Sequence, residues 1–222
     1  MTEAEWLACT DPTQMLEFLR GKSSDRKLRL FAVACCRGIW NLLPEKKSRE
    51  AIEIAEGYAD GRFERTVLDG IEKAINSSLG RISLQSEVAE YAITAVASAV
   101  SQDRVEEAAE AAAVSAGLAR THCRWKEGKD EERKWQTGVL RDIIPTPFCP
   151  ITINPTLLAK NNSGARKIAQ SIYDDRAFDR MPILADALEE AGCTDAVILN
   201  HCRQPGEHFL GCWIVDSILG KR

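Results

Sequence analysis

The chain lacks the short motifs by which many enzymes declare themselves. It has no Gly-x-x-x-x-Gly-Lys-Ser/Thr phosphate loop, no Gly-x-Gly-x-x-Gly turn, no His-Glu-x-x-His helix and no Gly-x-Ser-x-Gly element. Their absence lowers the standing of an enzymatic reading without removing it. No run reaches the roughly 18 apolar residues that a membrane span requires, and the opening Met1-Thr-Glu-Ala-Glu-Trp6 has neither the basic start nor the apolar stretch of a secretory leader. The expectation is a cytoplasmic protein with no membrane partner. Period-two alternation is missing except at residues 151–153, which argues against a sheet. The net charge is only -4 over 222 residues, too small and of the wrong sign for a strong general affinity for nucleic acid or anionic lipid.

What the chain does have is helical spacing. Thr2 and Glu5 have the form of a capping box ahead of Trp6 and Leu7, and Asp11-Pro12 supplies an N-cap followed by Pro at N1 for a helix through Met15, Leu16 and Leu19 to Gly21. Ser24 or Asp25 starts a longer helix in which Leu28, Phe31, Ala32, Cys35 and Ile39 recur at helical spacing while Ala34 and Gly38 lie opposite. That helix is predicted to be buried nearly all round and to end at Pro44. Two amphipathic helices follow, stopped by Gly61 and near Gly80. From Ser86 to about Cys123 the apolar positions are mainly alanine, which predicts a tightly packed antiparallel pair. Residues 124–134 read as a hydrated linker or a helix start, and Trp135, Val139, Leu140 and Ile143 as a helix. The proline-rich stretch 145–155 is not helical. It predicts a boundary between an N-terminal bundle (1–144) and a smaller helical subdomain (145–222). The fold class expected is all-α, with roughly eight to ten helices.

Chemistry concentrates in residues 193–213, which hold three of the eight cysteines and two of the three histidines. Thiolate and imidazole are the preferred zinc donors, and a tetrahedral site needs four of them. Neighbours on one helix point about a hundred degrees apart, so His201 and Cys202 cannot both serve one ion. Cys193, Cys202 (or His201), His208 and Cys212 form the candidate metal set, although no Cys-x2-Cys knuckle is present. The alternative is that these cysteines are small core residues and that His201 and His208 cap helix ends. A cysteine nucleophile at Cys202 or Cys212 would need a nearby histidine and an orienting acid such as Asp216 or Glu207. His122-Cys123 is a weaker pairing of the same type. The acid pairs Glu106-Glu107, Asp174-Asp175 and Glu189-Glu190 sit in polar surroundings and read as solvated faces. The window 20–49 is locally basic, which offers nucleic-acid binding as a further alternative, although arginine and lysine stems covering apolar neighbours explain it equally.

Two stretches resemble a known family. Met1-Thr-Glu-Ala-Glu-Trp-Leu-Ala-Cys-Thr-Asp-Pro-Thr and Phe18-Leu-Arg-Gly-Lys-Ser-Ser-Asp-Arg-Lys-Leu-Arg-Leu-Phe-Ala-Val-Ala-Cys-Cys-Arg-Gly-Ile-Trp40 are similar to the opening of a large family abundant in planctomycete bacteria that has no established activity. Leu140-Arg-Asp-Ile-Ile, Pro182-Ile-Leu-Ala-Asp-Ala-Leu-Glu-Glu-Ala-Gly-Cys193, His201-Cys-Arg-x-Pro-Gly-x-His208 and Gly211-Cys-Trp-x-Val-Asp216 resemble its closing module. Relatives often carry a basic residue just before the Gly-Cys-Trp element, where this chain has Leu210. Residues 184–192 also resemble the helix-turn-helix units of planctomycete repeat-companion domains, which implies an interaction module.

These observations lead to a non-enzymatic protein-interaction or adaptor module as the first expectation, with Phe209, Trp213 and Arg203 placed for an unidentified protein partner and no cofactor. The alternatives are a zinc protein or a cysteine- or metal-dependent enzyme centred on residues 193–212, and nucleic-acid binding through the basic N-terminal face.

Overall fold

The computed structural model describes residues 1–43, 45–83, 86–122, 127–144, 148 and 164–221. Cys123, the proline-rich stretch apart from Phe148, and the strand candidate at 151–153 lie outside the described residues. The described elements are all helical, as the periodicity requires. They are α1 (Glu3–Ala8), α2 (Pro12–Leu19), α3 (Asp25–Gly38), a 3-10 turn (Trp40–Leu42), α4 (Lys46–Ala59), α5 (Arg65–Ser83), α6 (Glu87–Val100), α7 (Val105–Thr121), α8 (Glu127–Ile143), α9 (Gly164–Asp175), a second 3-10 turn (Phe178–Arg180), α10 (Met181–Glu190), α11 (Ala196–Arg203) and α12 (Trp213–Leu219). Short helices such as α1 and α12 carry the count of α-helices among the described residues to twelve. No helix among the described residues is long and apolar enough to cross a membrane. The chain divides into two compact units, Met1–Leu140 and Arg141–Arg222.

Local chemistry sets the helix starts in the first unit. The Thr2 backbone N–H donates to Glu5 Oε2 at 2.7 Å and Glu5 N–H donates to Thr2 Oγ1 at 3.3 Å, closing the capping box. Thr13 N–H donates to the Asp11 carboxylate at 3.0 Å ahead of Pro12. Helix α3 buries every residue from Leu28 to Cys36. Burying Phe31 alone contributes roughly 1.5–3 kcal/mol. The helix stops at Gly38, before Pro44, because the backbone passes into the 3-10 turn and the Gly38 carbonyl is taken by the Arg120 guanidinium. Helices α6 and α7 pack against each other most extensively. Their facing residues, Ala92, Ala95 and Ala99 with Ala109, Ala112 and Ala116, are at most 1% exposed, so small side chains do permit the close approach anticipated.

Helix α8 begins at Glu127, so of the two readings of 124–134, hydrated linker or helix start, it is the helix start that the structure has from Glu127 on. The reason is a buried polar face: Glu132 accepts from Arg120 Nη1 at 2.7 Å, and the Gln136 amide donates to the Ala113 carbonyl at 2.8 Å and to Glu132 at 3.0 Å. Polar groups that are buried but paired cost little, yet they erase the apolar stripe by which a helix is recognised.

In the second unit α9 packs on α10 and α12, and α11 on α10 and α12. Ile172, Leu184, Leu188, Ile198, Ile214 and Ile218 form its core, none more than 3% exposed. Gly192, at φ 99°, ends α10, and Cys193 N–H returns to the Leu188 carbonyl at 2.9 Å. The Asp195 side chain caps α11 by accepting from Val197 N–H at 2.8 Å. Residues 141–143, the end of α8, belong to this unit.

Candidate metal centre

Four donor atoms converge in the second unit. Asp142 lies in the last turn of α8, His201 near the end of α11, His208 in the connection between α11 and α12, and Cys212 at the N-cap of α12. One carboxylate oxygen, one nitrogen from each ring and the sulfur all lie within 4.8 Å of one another. Asp142 Oδ1 is 3.2 Å from His201 Nε2 and 2.6 Å from His208 Nδ1, while Cys212 Sγ is 3.3 Å from His201 Nε2 and 3.9 Å from His208 Nδ1. A tetrahedral ion with bonds of about 2.0–2.3 Å sets ligand-to-ligand edges at about 3.3–3.6 Å. Three of these four separations fall within about 0.3 Å of that range and the Asp142–His208 pair is shorter, while the other two of the six edges are bounded at 4.8 Å.

The backbone brings the donors together for identifiable reasons. The turn that reverses the chain between His208 and Cys212 is closed by Cys212 N–H donating to the Phe209 carbonyl at 2.9 Å, and it uses Gly211 at φ 95°, a conformation open to glycine and strained for any side chain. Asp142 is fixed by its second oxygen, which accepts from the Phe209 N–H at 2.8 Å. This is the outer-shell support that orients a ligating carboxylate. The ring of Trp213 lies 5.0 Å from that of His201 at a 54° tilt, and His208 meets His201 edge-on at 5.0 Å.

Burial and charge distinguish the four. Cys212 is fully buried and the Asp142 side chain is 6% exposed, whereas the His208 and His201 side chains are 9% and 18% exposed. Solvent therefore reaches the cluster past the imidazole edges, and the acid and thiol form its floor. Burial pushes the Asp142 carboxyl up, but hydrogen bonds from His201 and His208 and the charge those rings can carry outweigh it and hold the group below its ordinary value. Burial and the neighbouring Asp142 push the Cys212 thiol well above its ordinary value, against the backbone groups of Val215 and Ile214, which lower it. Without an ion the sulfur is a buried, protonated thiol and a poor nucleophile. The His201 ring presents a single nitrogen, Nε2, to both the sulfur and the acid. A Cys-His-Asp relay would use its two ring nitrogens separately. A shared focus is the arrangement that an ion requires.

Of the donors proposed from spacing, His208, Cys212 and His201, the alternative to Cys202, lie in this cluster, and Cys193 and Cys202 do not. Both of the latter are buried. Burial, followed by the proximity of Cys193 and Asp142, pushes the Cys202 thiol up to about 12, so it stays protonated as packing material. The rotation between neighbours on α11 thus sends His201 to the site and Cys202 to the core. The fourth donor, Asp142, was missed, and neither Asp216 nor Glu207 supplies the acid. Its signal was a carboxylate beside the stripe Val139, Leu140 and Ile143, all buried.

The three residues assigned to a partner are placed differently. Trp213 is only 4% exposed and packs on His201, Phe209 is half-buried, and Arg203 is exposed but donates to Asp186 at 2.7 Å and Glu189 at 2.6 Å. In the basic window, Arg20, Arg26 and Arg37 pair with Glu110, Asp60 and Glu56, and the buried Arg29 donates to the Ala99 and Ser101 carbonyls at the end of α6. His122 lies 3.2 Å from Glu87 on the surface.

Comparison of the chain with family models, with curated proteins and with solved structures gives no significant match.

Proposed function

We propose that the second unit is a metal-binding module that holds one divalent ion of the zinc class through Asp142 Oδ1, His201 Nε2, His208 Nδ1 and Cys212 Sγ. The observation that carries this reading is the mutual approach of those four atoms. Charge supports it. A divalent cation with one carboxylate, one thiolate and two neutral imidazoles is a neutral set, the form that a low-dielectric pocket tolerates best. The donor types select the ion as well: thiolate and imidazole favour zinc over magnesium or calcium, and four mixed donors at tetrahedral spacing suit an ion without a geometric preference of its own. Four protein ligands fill such a sphere, so the ion serves as a brace with no position for a substrate, in keeping with the non-enzymatic interaction module expected from the sequence. All four donors lie in the stretches by which the chain resembles the planctomycete closing module, Asp142 in Leu140-Arg-Asp-Ile-Ile and the other three in the pieces 201–208 and 211–216.

Elemental analysis of protein purified without chelator tests the proposal, together with cobalt substitution read by visible absorption. One equivalent of metal, with intense tetrahedral cobalt bands and a sulfur-to-metal transition that Cys212→Ser abolishes, is the expected result. Folded protein that takes up neither ion overturns it.

A further inference from the structure

The distribution of apolar and polar contacts in the second unit points beyond a static brace. Helices α9 to α12 share a core of Ile172, Leu184, Leu188, Ile198, Ile214 and Ile218, which needs no ion to stay packed. The connection 204–211 is built otherwise over its first half, with Leu210 and Gly211 buried at its end. Gln204, Pro205, Gly206 and Glu207 are exposed, and two of the bonds that tie the segment down end on one side chain: Phe209 N–H on Asp142 Oδ2 and His208 Nδ1 against Asp142 Oδ1. An ion at the focus of the four donors would add a bond at each point that defines the segment's path. His201 precedes it, His208 lies within it, Cys212 follows it, and Asp142 is the anchor on α8. Of the four donors the His201 ring, 18% exposed, lies nearest to solvent.

Resting on the metal reading, we infer that ion occupancy switches the connection 204–211. Loaded, the ion clamps it to the end of α8; empty, the connection is released while α9 to α12 remain folded. The module then presents one surface loop in two states set by a metal ion. Local opening of this kind draws on the least stable part of a structure and leaves the cooperative core alone. Liganding at three points along one connection suppresses that opening by mass action on the closed state alone.

Hydrogen exchange on the full chain, read by mass spectrometry with zinc present and after its removal by chelator, tests the inference. The expected result is that peptides covering 204–212 exchange at least about tenfold more slowly when loaded, with the Phe209 amide the most affected, while peptides within α10 and α4 exchange equally in both states. Stoichiometric zinc with unchanged exchange in 204–212 overturns the switch and leaves the metal site standing. Exchange that rises equally across α10 and α12 on chelation also overturns it, because the whole unit then unfolds. Failure to bind zinc at all overturns both readings. The comparison uses wild-type protein throughout, so no outcome depends on a variant that fails to fold.

Discussion

Replacing Asp142 by Asn is the most informative single perturbation, because it removes a charge and a ligand without removing volume. The Phe209 N–H, 2.8 Å from Oδ2, must keep an acceptor, so the amide oxygen of Asp142→Asn takes that position. The amide NH2 then faces His201 Nε2 and His208 Nδ1, which lie 3.2 and 2.6 Å from Oδ1 in the native protein. Both ring nitrogens can accept, so the metal-free variant has the same hydrogen-bonding capacity as the metal-free wild type, and α9 to α12 stay folded in both. The ion, by contrast, loses an anionic donor and meets an N–H group in its place. Structural zinc sites contribute an apparent 10–16 kcal/mol, so an even share for one of four ligands is roughly 2.5–4 kcal/mol. The expected loss in affinity is therefore about 100- to 1000-fold. Competition against a chromophoric chelator measures it, with circular dichroism and the thermal midpoint of the metal-free protein as controls. Affinity within about threefold of wild type, less than 0.7 kcal/mol by the same conversion, in a folded variant would refute Asp142 as a ligand and with it the neutral four-donor set.

Gly211→Ala forces a side chain into φ 95° at a cost of about 1–3 kcal/mol; zinc affinity should fall by a similar free energy, while urea unfolding of the first unit is unchanged. In that unit burial pushes the Cys36 thiol up to about 12 and Cys35 well above its ordinary value of 9.0. The folded state thus keeps protons that the unfolded chain releases, so this stability is intact below pH 9 and is lost as pH rises from 9 toward 12. Each thiol contributes a slope approaching about 1.4 kcal/mol per pH unit. Urea midpoints from pH 8 to 11 should fall less steeply in Cys36→Ala, and parallel slopes would contradict the burial argument. A side chain at Gly38 would meet the Arg120 guanidinium and come within 2.7 Å of the Trp135 ring. Gly38→Ala should destabilise the first unit by about 1–3 kcal/mol, seen as a lower thermal midpoint.

The parts of the fold that were legible in the sequence are those in which local chemistry and burial agree. Thr2 with Glu5, and Asp11 with Pro12, mark starts because the backbone groups that need partners find them within three residues. The alanine positions of α6 and α7 are legible because nothing but close packing uses so many small side chains. Helix α8 was only half legible, because Glu132 and Gln136 are solvated by protein groups supplied from α7, and a polar residue gives no sign in sequence of whether its partner is water. The site was legible in its residue types and in its region, since His208 and Cys212 were both among the expected donors. Asp142 was not, although it stands beside the stripe Val139, Leu140 and Ile143, because the acid comes from a helix end far earlier in the chain and only tertiary packing brings it to the two rings.

The pair His201-Cys202 shows why the tail could be read as packing material and as a metal site at once. On one turn of α11, Cys202 buries its thiol in the core and Asp195 anchors the helix start, so the direction of the next side chain is already determined. His201 has to leave the core at that angle. What it meets there is decided by Gly211, which turns Cys212 back toward α11, and by the Phe209 N–H, which holds the Asp142 carboxylate with one oxygen still directed at the rings. The apolar contacts that would justify calling the cysteines structural are thus the contacts that aim the donors. The core thiol of Cys202 and the candidate donor ring of His201 differ here by one position in the chain, and so by the face of α11 on which they lie.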